Sequence, residues 1–115
     1  LVVTLSDAAS YSTLPMIDKL IQTYAADRSE FIGAAYVINQ ADSSRQLNKD
    51  LTLIMRNILG KRLIGVVHRD QSIAEALAYN RNVLDYAPNG QGSHDIQAVS
   101  QTILEMLATT ERSKY

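Results

Sequence analysis

The stretch Gly65–Leu77, "GVVHRDQSIAEAL", decides how this chain is read. Its first residues complete a short β-branched apolar run, "RLIGVV" from Arg62 to Val67, of the kind that forms a buried strand. His68-Arg69-Asp70 follow at once, and then Ile73, Ala76 and Leu77 recur at helical spacing. A buried strand that turns into a helix through a polar triplet is one unit of a parallel α/β sheet. Ligands of such sheets bind outside the carboxyl ends of the strands, where this triplet lies. The same residues also suit a purely local role. Asp70 or Ser72 can cap the helix, and Ser72 with Glu75 fits the S-x-x-E capping box.

The alternation extends in both directions. "LVVTL" (Leu1–Leu5) reads as a first strand and "FIGAAYVIN" (Phe31–Asn39) as a second. The second is apolar on both faces, as a strand covered on both sides should be. Between them, capping residues and the stripe Leu14, Ile17, Ile21 and Tyr24 predict a helix over Ser12–Ala26. That start is chosen because Pro15 suits only a first turn. Leu47, Leu51, Ile54, Met55, Ile58 and Leu59 predict a second helix, ended by Gly60. "APNGQGS" (Ala87–Ser93) reads as a turn region, followed by an amphipathic helix through Ile96, Val99, Ile103, Leu104 and Leu107. The tail "TTERSKY" is expected to fray.

The predicted fold is α/β, a three-layer Rossmann-like arrangement with three parallel strands in order 1-2-3 and about four helices. Residues 1–115 form one domain. An apolar edge such as "LVVTL" normally lies inside a larger sheet. The chain is therefore expected to be a fragment, the C-terminal part of a larger domain whose N-terminal half is missing.

Bulk properties exclude several classes. Eleven basic and twelve acidic residues leave a formal net charge of -1, which gives no support for a nucleic-acid surface. No cysteine is present, so disulfides and thiolate metal sites are ruled out. No apolar run approaches the ~20 residues of a membrane span.

Motifs exclude more. His68 and His94 are the only histidines, and their spacing suits no metal pair; His94 reads as a surface residue at a helix start. "HRD" occurs in protein kinases, but Glu75 stands where that motif needs Asn. The chain has no nucleophile elbow and no Gly-rich phosphate loop. A receiver-type domain needs an acidic cluster, and Asp7 with Asp70 is too little. What remains is a rim: Asn39 ends the second strand, His68, Arg69 and Asp70 end the third, and Asp7 lies beyond the first.

These residues also carry a family resemblance. "LVVTLSDAASYSTLP" (Leu1–Pro15), "YVINQAD" (Tyr36–Asp42) and "VVHRDQSIAEALAYNRNVLDYAPNGQGSHDI" (Val66–Ile96) resemble the C-terminal half of MinD/ParA-type deviant P-loop ATPases. The subgroup they resemble most is the cellulose-biosynthesis ATPase family encoded with bacterial cellulose synthase. The most specific part is His68–Asp95.

The resemblance implies a full-length protein that binds ATP and Mg²⁺ and forms a homodimer around nucleotide. It implies a role in placing or regulating the cellulose synthase and secretion complex. Its location would be cytoplasmic, with a peripheral place at the inner membrane. Carried over residue by residue, Asn39 contacts the adenine base, and His68, Arg69 and Asp70 lie beside base and ribose. An Asn amide offers a donor and an acceptor to the base edge, and an Arg guanidinium can stack on its face.

The family's Walker A lysine, switch residues and Mg²⁺-binding acids belong to its N-terminal half, and none is found in these residues. The chain alone is therefore expected neither to hydrolyse ATP nor to bind it tightly. Two alternatives stand beside this reading. One is a free-standing α/β protein-interaction module. The other is the equivalent part of a pilus-assembly or flagellar-placement ATPase.

Overall fold

The computed structural model describes residues 1–25 and 33–113. Three strands, β1 (Val2–Leu5), β2 (Tyr36–Ala41) and β3 (Leu63–His68), form one parallel sheet in order β1-β2-β3. The helices are α1 (Ala8–Tyr24), α2 (Gln46–Leu59), α3 (Gln71–Ala78), α4 (Val83–Tyr86) and α5 (Gln91–Ser113), with a 3-10 turn at Gly60–Arg62. The predicted fold class and strand order therefore hold.

The sheet has two covered faces because its side chains alternate. Tyr36 and Ile38 of β2 pack with Leu14 of α1 and with Met55 and Leu59 of α2. Val37, pointing the other way, pairs in register with Gly65. A Cβ on Gly65 would lie 2.4 Å from Val99 Cγ2 of α5, so α5 rests directly on the bare backbone of β3. The β1 face that carries Leu1, Val3 and Leu5 stays uncovered, with exposures of 70%, 59% and 37%.

At the amino ends of the strands a polar clamp ties the layers together. The Tyr36 hydroxyl donates to Asp18 on α1. Arg62 donates to both oxygens of the same carboxylate at 3.2 and 3.1 Å and lies over the Tyr36 ring, 5.5 Å from its centroid. Burial, followed by the Asp18 hydrogen bond, pushes the Tyr36 hydroxyl up to about 12. The Tyr36 hydrogen bond, with help from Arg62, holds the Asp18 carboxyl below its usual range.

Several boundaries differ from expectation. α1 begins a turn early, because Asp7 is its N-cap and accepts the Ser10 N–H at 2.7 Å. Pro15 consequently sits inside the helix. It removes one backbone donor there, and the helix persists because the cap and the buried Leu14 outweigh that loss. β2 starts at Tyr36 and continues two residues past Asn39, to Ala41. Phe31 and the loop "DRSE" lie outside the described residues.

Among the described residues the helices number five, in keeping with the expected about four; the additional short α4, capped by Asn82 on the Leu84 N–H, carries no periodic signal in the sequence. The apolar stripes are also narrower than predicted. Tyr24, Leu47, Leu77 and Leu104 are exposed at 73%, 65%, 79% and 62%. α5 runs through to Ser113 and so includes most of the tail "TTERSKY", whose last two residues lie outside the described ones.

Candidate functional site

The carboxyl ends of β2 and β3 open onto a cleft of about 730 Å³. β2 supplies Asn39 and Gln40, and the end of β3 and its turn supply His68, Arg69 and Asp70. α3 supplies an apolar wall through Ile73, Ala74 and Leu77. The four residues expected to form a site from the sequence thus line one cavity.

A defect in the sheet shapes this end. The β2–β3 register runs from Ile38↔Val66 to Ala41↔His68, so Asn39 and Gln40 oppose Val67 alone. Such a two-for-one bulge re-aims side chains at the end of a strand. Gln40 absorbs the bend with a φ of 55°, in the left-handed region that costs a non-glycine residue energy. The amides of Asn39 and Gln40 form no side-chain hydrogen bond with any other described residue. Both are therefore available to a ligand.

The triplet divides its work. Asp70 is the N-cap of α3, accepting the Ser72 N–H on Oδ1 at 2.9 Å. Its Oδ2 accepts the Gly92 N–H at 2.8 Å, tying α3 to the start of α5. The Gly92 and then the Ser72 backbone hydrogen bonds hold the Asp70 carboxyl below its usual range. Glu75 does not complete a capping box; it accepts the Tyr86 hydroxyl at 3.0 Å.

His68 is tethered as well. Asp95 Oδ2 accepts the His68 backbone N–H at 2.8 Å and lies 3.0 Å from its Nδ1. Arg69 is the exposed member. Its backbone N–H donates to Ala41 O at 2.8 Å, while its guanidinium stays 68% exposed and 4.0 Å from Asp42 Oδ2.

A second, smaller pocket of about 150 Å³ lies at the end of β1 and shares Gln40 and Arg69 with the main cleft. Asp7 belongs here, not to the main cleft. His94 is exposed on α5 and outside both cavities. Among the described residues no group of three or more His, Cys, Asp or Glu is placed to hold a metal ion. The residues present suit the base end of a nucleotide: free amides, a guanidinium and an apolar wall. They do not suit the metal.

The roles of Gln40, Gly92 and Asp95 at this site are not legible in the sequence. A positive φ on Gln carries no local signature, and both Gly92 and Asp95 act across more than twenty residues.

A three-layer parallel α/β domain with its cleft at the strand carboxyl ends is the architecture of nucleotide-binding proteins of the MinD/ParA-like kind. The sequence model described as "Cellulose biosynthesis protein BcsQ" matches residues 20–104, and the chain belongs to that family. No curated protein sequence matches the chain. Among the described residues no helix is long and apolar enough to cross a membrane.

Proposed function

We propose that the main cleft receives the base of an adenine nucleotide, and that this chain is the base-binding, C-terminal part of a MinD/ParA-like ATPase. In cellulose biosynthesis that ATPase places or regulates the synthase and secretion complex. It works from the cytoplasmic side as a nucleotide-linked homodimer with ATP and Mg²⁺. Asn39 reads the base edge, Arg69 stacks on the ring, and the α3 wall covers the other apolar surface. His68 and Asp70 frame the site, since their polar atoms already hold the fold together.

The observation that carries this reading is the Asn39–Gln40 bulge, which leaves two unpaired amides in a cleft with one apolar wall. A backbone amide NMR titration with adenosine tests it. Saturable shifts at Asn39, Arg69 and Ile73, lost in Asn39→Ala, are expected. Shifts spread evenly over the surface would refute it.

The uncovered face of β1 favours a second reading, a protein-docking module whose open edge pairs with another strand. Light scattering on the chain and on Val3→Lys distinguishes the two. A dimer abolished by the lysine, with no adenosine response, would support the docking module.

A further inference from the structure

One face of α2 looks onto the carboxyl ends of β2 and β3. Lys49, Thr52, Leu53 and Arg56 follow one another at helical spacing on that face and line a cavity of about 210 Å³. Ala41, Asp42 and His68 close its other side. Two of the lining residues are cations with no carboxylate of their own. Neither Lys49 nor Arg56 forms an ion pair among the described residues. The one acid of the lining, Asp42, is already engaged. Its Oδ1 accepts the Ser44 N–H at 3.0 Å, and Arg45 Nε and an Arg69 guanidinium nitrogen lie 3.6 and 4.0 Å from its Oδ2. The cavity therefore keeps an uncompensated positive charge, although the whole chain carries a formal net charge of -1.

Spacing and polarity decide which anion fits. Two turns of helix hold Lys49 and Arg56 roughly 10 Å apart along the axis. The floor between them is apolar, from Leu53 and Ala41, and the Thr52 hydroxyl is turned back onto Asn48 O at 2.8 Å. A single phosphate is too compact to meet both cations and would leave that floor wet. Two carboxylates that flank an apolar side chain meet both requirements. In an extended segment every second side chain shares a face, so three such positions span roughly 13 Å. The long Lys49 and Arg56 side chains take up the difference. The cavity is larger than the about 150 Å³ that suffices for a benzene ring, so it admits a side chain of Leu or Phe size.

We propose that this face of α2 docks an acidic partner segment, an extended peptide with an acid, an apolar residue and a second acid at alternate positions. Its carboxylates accept hydrogen bonds from Lys49 and Arg56, and its apolar side chain fills the cavity against Leu53 and Ala41. His68, held in place by Asp95, forms the end wall. The proposal stands apart from the base reading, because His68 is the only residue that lines both this cavity and the main cleft.

The test is a fluorescence-anisotropy titration of the 115-residue chain against the labelled, capped peptide Gly-Glu-Ser-Leu-Ser-Glu-Gly. Saturable binding is expected. Lys49→Gln and Arg56→Gln should each weaken it roughly fivefold, the upper range for an exposed ion pair. Serine in place of the peptide's leucine should weaken it by roughly tenfold or more. Both substituted positions are exposed on α2, so neither change disturbs the core. The double variant Lys49→Glu with Arg56→Glu should reject this peptide and bind the same peptide with lysines for its glutamates. A merely structural role for the two residues would not produce that exchange. No binding of the peptide, or an affinity unchanged in both Gln variants or by loss of the leucine, would overturn the proposal. Tighter binding of a single-stranded oligonucleotide through Lys49 and Arg56 would also overturn it, by assigning the face to a phosphate backbone.

Discussion

Asp70 accepts the Gly92 N–H at 2.8 Å across twenty-two residues of sequence, joining the start of α3 to the start of α5. The same carboxylate caps α3 through Ser72. Gly92 is buried, so its N–H has no easy access to water as a replacement partner. Asp70→Ala removes the cap and strands that donor, and should cost about 2–3 kcal/mol in chemical denaturation. Asp70→Asn keeps an acceptor for one of the two N–H groups and should lose roughly half as much. The Asp70 carboxyl is held below its usual range. Its contribution is therefore present above a pH of about 4 and is lost as pH falls through the lowered folded value. The Asn variant should show a weaker acid dependence over that window.

The opposite end of the sheet has the opposite pH signature. The Tyr36 hydroxyl, pushed up to about 12, donates to Asp18. A raised folded value means stability that is complete below the ordinary tyrosine range, about 10, and is lost as pH rises through the folded value. Tyr36→Phe should lose about 0.5–1.5 kcal/mol at neutral pH. It should also be less alkali-sensitive than the unaltered chain between about pH 10 and 12. Urea midpoints measured across that range read both effects.

Gly65 and Val99 set how closely α5 approaches the sheet. A Cβ at Gly65 would meet Val99 Cγ2 at 2.4 Å. Val99 is β-branched and stiff in a helix, so it has few rotamers with which to yield. Gly65→Ala should destabilise the fold by about 1–3 kcal/mol, seen as a lower thermal midpoint. The double variant Gly65→Ala with Val99→Ala should recover part of the loss.

Much of the architecture was legible in the sequence because it is local. β-branched runs gave the three strands, and Gly60 marked the end of α2 where its φ is 56°. Asp70 was recognisable as a cap because a cap acts within two residues. Pro15 misled the start of α1, since the Asp7 cap and the burial of Leu14 override its preference for a first turn. The rim residues were legible as a group, because strand ends converge in any parallel sheet. Their division of labour was not. That Asp70 and His68 are held by Gly92 and Asp95 depends on where α5 crosses β3, which no window of sequence contains. The bulge at Gln40 is likewise a property of pairing between strands.

The central claim is that this chain carries the base side of a nucleotide site and lacks its phosphate side. Calorimetric titration with ATP and Mg²⁺, set beside adenosine, tests it most directly. The account predicts weak and similar dissociation constants for both, on the order of 1 mM, because only base and sugar find partners here. Micromolar binding of ATP, well below the value for adenosine, would contradict it.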